Sequence, residues 1–204
     1  MNMNRRFALS LLASAGAVMA LPAFAQNADP AAFVADFAQK GIVDILAAKA
    51  SQAERTQRFR AMFKEYFDLP SIAKFVLGRY ARNVSPADEA KFDALFEDVV
   101  VYTWARRFSE YNGQTLKVQS AAPDGADGAI VKSTVVSNSG ENIAVDFRLR
   151  KRPTGYKGVD VIIAGVSMAL TYRQEYGAVL AQGFPALVAQ LEKQVADLKS
   201  KQPA

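Results

Sequence analysis

Apolar residues recur at helical spacing along this chain as far as Asn112, and at alternate positions from there to Ala164. That change of period predicts a helical half feeding a β-meander. Asp29-Pro30 opens a helix to about Lys49, with Phe33, Val34, Phe37, Ile42, Ile45 and Leu46 along one side and Gly41 interrupting it. Ser51-Gln52-Ala53-Glu54 has the form of a capping box and starts a second helix to about Phe67, carrying Phe59, Met62, Phe63 and Tyr66. Asp68 caps a third, with Pro70 in its first turn, Ile72, Phe75 and Val76 on one face, and Gly78 as its stop. Ser85-Pro86 restarts the helix, with Asp88 and Glu89 placed where the macrodipole favours acids. From Pro86 to Tyr111 this helix would run about 39 Å at 1.5 Å per residue. Its segment Val99-Val100-Val101-Tyr102-Thr103-Trp104 has strand propensity when read alone. Helical flanks without turn signals assign it to the helix, apolar nearly all round and therefore buried on more than one side.

Beyond Asn112-Gly113 the period is two. Leu116 and Val118 alternate with Lys117 and Gln119, turns fall at Pro123-Asp124-Gly125 and Asp127-Gly128, and a second strand covers Ala129 to Ser137. After Asn138-Ser139-Gly140, Ile143, Val145, Phe147 and Leu149 point one way while Asp146, Arg148 and Arg150 point the other. Pro153-Thr154-Gly155 turns into a fourth strand, Tyr156 to Ala164. Ser167 caps a helix to about Gln182, and Pro185 starts a last amphipathic helix with Leu187, Leu191, Val195 and Leu198. The predicted class is α+β: a four-stranded antiparallel twisted sheet with helices packed on one face. One domain is expected over residues 26–199, with residues 200–204 a disordered tail.

Residues 1–25 add a targeting segment. Arg5 and Arg6 precede an apolar run from Phe7 to Leu21, and Ala23-Phe24-Ala25 is a small-x-small cleavage site before Gln26. Phe7 follows the arginines directly and no Ser or Thr precedes them, so the leader fits general (Sec) export rather than the twin-arginine route. The mature chain is expected to be exported to the periplasm and soluble after signal cleavage. Loss of two arginines, with no acid in residues 1–25, lowers the formal charge from +5 to +3. A balance that mild is no nucleic-acid footprint.

Chemistry is narrowed by what is missing. With no Cys and no His, the chain has no disulfide, no thiolate nucleophile, no imidazole base and no Cys/His metal site. Asp146 and Asp160, on neighbouring predicted strands, could pair for acid/base work, but strand acids beside Arg148 and Arg150 are more often ion-pairing groups. Glu97 and Asp98 read as the solvated side of the long helix. No nucleophile elbow, P-loop or dinucleotide fingerprint occurs. The expectation is a non-enzyme without cofactor or metal. Arg148, Arg150, Lys151 and Arg152 form either a solvated hairpin tip or a patch for anionic headgroups or an acidic partner, and Arg79, Arg82, Arg106 and Arg107 pose the same choice. The large apolar side chains are either a filled core or the wall of an apolar pocket, which periodicity does not distinguish.

The stretch FDLPSIAKFVLGRYARNVSPADEAKFDALFEDVV, with RRFSEYNGQT and YKGVDVIIAGVSMALTYRQEY, resembles the MlaC/toluene-tolerance family of periplasmic phospholipid-binding proteins. The likeness covers nearly the whole mature chain in order. Its elements V-L-G-R-Y, S-P-A, F-x-x-Y-N-G-Q-T and G-V-S-M-A-L-T are weak singly and specific together. The resemblance implies a sheet and helices enclosing an acyl-chain cavity, with no catalytic residue. It implies a shuttle maintaining outer-membrane lipid asymmetry, carrying phospholipid between an outer-membrane lipoprotein–porin complex and an inner-membrane ABC transporter with an MCE subunit. A related branch is associated with hopanoid biosynthesis. On this resemblance the expected lipid-binding residues are Leu69, Ile72, Phe75, Val76, Tyr80, Phe96, Val99, Val100, Thr103, Phe108, Val135, Val145, Phe147, Val161, Ile163, Val166 and Met168. Arg79, Arg82, Arg148, Arg150 and Lys151 are expected at the headgroup or a partner, and the protein is expected to be a monomer.

Overall fold

The computed structural model describes residues 29–41, 50–109, 113–137 and 140–201. The leader, the predicted continuation of the first helix to Lys49, the end of the long helix at Tyr111 and the last three residues lie outside the described residues. Six α-helices and five strands follow in order: α1 (Pro30–Lys40), α2 (Gln52–Tyr66), α3 (Leu69–Leu77), a 3-10 helix (Gly78–Asn83), α4 (Pro86–Ser109), β1 (Thr115–Pro123), β2 (Gly128–Val136), β3 (Asn142–Arg152), β4 (Gly155–Ile163), β5 (Val166–Ser167), α5 (Met168–Leu180) and α6 (Phe184–Ser200). Ser200 therefore ends α6 rather than opening a tail.

The helix starts follow local capping. The Asp29 carboxylate accepts from Ala31 N–H at 2.9 Å. At α2, Ser51 N–H donates to Glu54 at 2.8 Å while Glu54 N–H donates back to Ser51 Oγ at 3.3 Å, the reciprocal capping box. Asp68 caps α3 through Ser71 N–H at 3.2 Å, and Gly78, at φ +56°, ends it in a conformation few L-residues adopt. In α4, Val99, Val100 and Val101 are all buried, because α6 packs on one side of the helix and α2 and α3 on others. Burial on several sides is what lets β-branched residues sit in a helix: tertiary packing outweighs a few tenths of a kcal/mol of propensity.

The sheet is antiparallel throughout, in the order β1-β2-β3-β4-β5. It has five strands where four were expected. The fifth has two residues and returns from β4 through Ala164 (φ +49°) and Gly165 (φ +84°). Two positive φ values in a two-residue loop suit a tight hairpin, but Ala-Gly is not a customary signal for one, and two residues carry no alternation. One face buries Ala129, Val131 and Ser133 of β2 with Phe147 and Leu149 of β3; the other carries Lys132, Thr134, Arg148 and Arg150. No helix among the described residues is long and apolar enough to cross a membrane.

Candidate functional site

Between the helices and the apolar face of the sheet lies a cavity of about 260 Å³. Phe37 and Ala38 of α1, Phe59, Met62 and Phe63 of α2, Leu69 and Ile72 of α3, and Phe96, Val100 and Trp104 of α4 form its helical wall. The α2, α3 and α4 groups keep the i, i+3, i+4 spacing that puts side chains on one helix face. Leu116 of β1, Val135 of β2, Val145 and Phe147 of β3, and Val159, Val161 and Ile163 of β4 form the sheet wall. The register aligns them: Leu116 faces Val135, and Val145 and Phe147 face Ile163 and Val161. Met168, Ala169 and Tyr172 of α5 close the remaining side.

The floor is aromatic. Phe63 stacks on Phe67 at 4.3 Å between centroids, and Phe37 meets Phe67 and Phe147 edge-on at 5.5 and 5.8 Å. These rings, with Phe59 and Leu69, are buried apart from the half-buried Phe37. In contrast, Trp104, Gln114, Leu116, Val135, Val145, Ile163, Met168 and Tyr172 are half-buried and Thr115 is exposed. The cavity therefore opens at the end of the sheet where β1 and β3 begin and β2 and β4 finish. Gln114 and Thr115 supply polarity there. The Arg107 guanidinium lies 5.5 Å from the Trp104 ring centroid at the same end. Burial pushes the Tyr172 hydroxyl up to about 12, with the charge of Glu175 adding to the rise and that of Arg107 opposing it. Tyr172 is thus a neutral hydroxyl at any physiological pH.

Ten of the residues expected at a lipid stand on this wall: Leu69, Ile72, Phe96, Val100, Val135, Val145, Phe147, Val161, Ile163 and Met168. Others do not. Val76 and Val99 are buried in the helical layer, in contact with neighbouring helices instead of the cavity. Phe75 and Val166 are exposed, Phe75 because its ring turns outward under the Arg173 guanidinium, 4.8 Å away. Tyr80 sits in the 3-10 helix, bonded by Arg79 at 3.2 Å, and Thr103 is half-buried off the wall. The side chain of Phe108 lies outside the described residues. Phe37, Phe59, Phe63 and Phe67 of the floor, with Trp104, Ala169 and Tyr172, were absent from the sequence-based set. Their signal was the apolar stripe of α1, α2 and α5, which points inward without saying whether the space is filled.

The basic hairpin is not a free patch. Asp124 holds Arg148 at 3.3 Å and Arg150 at 2.7 Å, Asp160 holds Arg148 at 3.3 Å, and Asp68 holds Arg152 at 2.7 Å. Lys151 lies 5.8 Å from the Tyr156 ring centroid, and Arg79 and Arg82 are exposed. Glu97 and Asp98, expected on a solvated side, are half-buried and clamp Arg60 of α2 at 2.7 and 2.6 Å. Asp160 is buried with both oxygens committed: Ser167 Oγ and Arg148 donate to Oδ2 at 2.6 and 3.3 Å, and Ala169 N–H donates to Oδ1 at 3.0 Å. Asp146 lies one rung away, opposite Ile162. The Asp160 carboxylate anchors the start of α5. Among the described residues no group of Asp, Glu, His or Cys could hold a metal. What the cavity offers a ligand is dispersion and exclusion of water.

Residues 37–193 match the family described as MlaC protein. The toluene tolerance protein ttg2D of Pseudomonas putida is 24% identical over 110 residues, 53% of this chain and 51% of that protein. The chain thus spans about half the length of this curated relative. Among solved structures, a phospholipid-binding protein from Ralstonia solanacearum, solved in complex with a phospholipid, is similar with a TM-score of 0.76. That likeness covers 84% of this chain and 99% of the other at 23% identity, and it is a likeness of fold.

Proposed function

The chain belongs to the MlaC family, and from that premise we propose that its cavity receives the acyl chains of a phospholipid, which the protein carries between membranes. The observation that carries this reading is the apolar cavity open at one end of the sheet, where the Asp160 carboxylate on its wall is already bonded by Arg148, Ser167 and Ala169. Leu69, Ile72, Phe96, Val100, Val135, Val145, Phe147, Val161, Ile163 and Met168 are the proposed chain contacts.

Energetics favour a carrier over an enzyme. Each methylene buried is worth ~0.8 kcal/mol relative to water. A bilayer offers nearly the same, so transfer from membrane to cavity is close to neutral. The protein removes the barrier of exposing chains to water; direction comes from the lipid gradient or from a partner that consumes ATP. In this reading residues 1–25 are cleaved on export to the periplasm and residues 26–199 act as one lipid-binding domain. The donor and acceptor are an outer-membrane lipoprotein–porin complex and an inner-membrane ABC transporter with an MCE subunit.

The test is to purify the chain from Gln26 without detergent and compare it with Val145→Arg by native mass spectrometry and solvent extraction. One two-chain phospholipid per wild-type protein, and none on a folded Val145→Arg, is expected. Wild-type lipid content in Val145→Arg overturns the assignment of the cavity, and a hopanoid in the extract replaces the cargo.

A further inference from the structure

Four large apolar side chains stand exposed among the described residues: Phe75 at 43%, Ile143 at 39%, Val166 at 54% and Leu170 at 45%. They are not scattered. Val166 pairs with Ile163 of the cavity wall, which pairs in turn with Val145, and Ile143 shares the Val145 face one rung outward. Leu170, in the first turn of α5, donates its N–H to Ser167 beside Val166 at 3.1 Å. Arg173, one turn further along α5, covers the Phe75 ring at 4.8 Å. The four therefore trace one band from the cavity mouth across the start of α5 to α3.

The band has a cationic border. Lys74, Arg79, Arg82 and Arg173 are exposed, and among the described residues none has a carboxylate within ion-pairing distance. In the basic hairpin, by contrast, Asp124, Asp160 and Asp68 pair with Arg148, Arg150 and Arg152. Glu175, the acid of α5, is not within ion-pairing distance of Arg173 among the described residues.

We propose that this band is a docking surface for an anionic bilayer, seated so that the cavity mouth opens against the lipid. This rests on the reading of the cavity as a lipid site. The chemistry favours a bilayer over an acidic protein for two reasons. The apolar side chains form a row of separate projections, which a fluid interface accommodates and a protein partner would need matching pockets to receive. The row is also continuous with the cavity wall, so a chain leaving the membrane would meet apolar side chains all the way in. Few contacts, and no membrane-spanning helix among the described residues, make the docking reversible and salt-dependent.

The experiment is cosedimentation of the lipid-loaded chain with vesicles of phosphatidylethanolamine and phosphatidylglycerol at 3:1, against vesicles of phosphatidylcholine alone, with lipid content measured in parallel. The wild type is expected to bind the anionic vesicles at least tenfold better and to be released by 0.5 M salt. Lys74→Glu/Arg82→Glu and, separately, Leu170→Asp are expected to lower binding about tenfold without changing the lipid content of the purified protein. A wild type left in the supernatant with anionic vesicles, or variants that bind as well as it does, overturns the docking surface. So does a loss confined to lipid exchange with a purified partner protein, which would make the band a protein interface. Val145→Arg keeps the two readings apart: it should lose lipid and still bind vesicles, so an empty wild-type cavity and an inert band are seen as different failures.

Discussion

Replacing Gly158 by Ala probes the cavity floor at its tightest point. A Cβ at this position would stand 2.6 Å from both Cδ1 and Cε1 of Phe67 and 3.2 Å from Cζ. Carbon atoms pack at about 3.5–4.0 Å, so the ring must retreat by roughly 1 Å. It has little room. Phe63 stacks on it at 4.3 Å, Phe37 abuts it at 5.5 Å, and the Asp68 N–H bonds the Gly158 carbonyl at 3.0 Å. Overpacking of this kind costs about 1–3 kcal/mol. For a domain of this size, a mid-range ~2 kcal/mol lowers Tm by roughly 4–8 °C. Urea denaturation with a thermal scan measures it, and lipid extraction reads the cavity, because the displaced ring moves along the floor. The mechanism also predicts coupling: Phe67→Leu should cost at least ~0.5 kcal/mol less in the Gly158→Ala background than alone. A Gly158→Ala protein as stable as wild type, or costs that simply add, would refute the account of the floor.

Three further tests address the polar scaffold. Asp160→Asn keeps an acceptor for Ala169 N–H but turns donors towards Arg148 and Ser167; it should cost about 1–3 kcal/mol and speed hydrogen exchange at the start of α5, and unchanged protection there would remove Asp160 as its anchor. Burial alone would raise the Asp68 carboxyl, but hydrogen bonds from Ser71 and Arg152 hold it below its ordinary value. The unfolded chain therefore takes up this proton first as pH falls, so the contribution is complete above about pH 4 and drains as the pH drops through the lower folded value; Asp68→Asn should flatten the acid limb of stability against pH, and superimposable limbs would count against it. Removing Arg60 leaves half-buried Glu97 with Lys64 at 3.2 Å and half-buried Asp98 with Lys199 at 3.3 Å in place of its two shorter bonds, so Arg60→Ala should cost more by urea denaturation than the exposed-pair variant Lys91→Ala, for which about 0–1 kcal/mol is expected.

Local chemistry made much of the fold legible. The helix starts at Asp29, Ser51, Asp68, Ser85 and Ser167 could be read because a cap is a bond between residues two or three apart. The strands could be read because one face is buried and one wet. The fifth strand escaped because its two residues gain their identity only by pairing with Ile162 and Ile163. Part of the cavity wall was legible through its resemblance to a family. Its floor was not, because Phe59, Phe63 and Phe67 carry the same apolar signature whether they enclose space or fill it.

Charge shows the same division. Sequence placed four basic residues at a hairpin tip, and pattern alone read them equally as a solvated tip or as a patch for anionic headgroups or an acidic partner. Folding brings Asp124 from the preceding hairpin and Asp68 from a distant helix cap onto Arg148, Arg150 and Arg152. Among the described residues it leaves Lys74, Arg79, Arg82 and Arg173 without such partners around an apolar band that no periodicity marks. What the sequence determined by itself is therefore what depends on neighbours along the chain: caps, turns, the two periods, and the absence of His and Cys. What only the tertiary structure decided is what depends on neighbours through space: which apolar stripes stop short of one another to leave a cavity, and which charges remain to meet something outside. Hydrophobic free energy grows with the area removed from water and is indifferent to direction, so a pattern can require burial without specifying what lies on the other side.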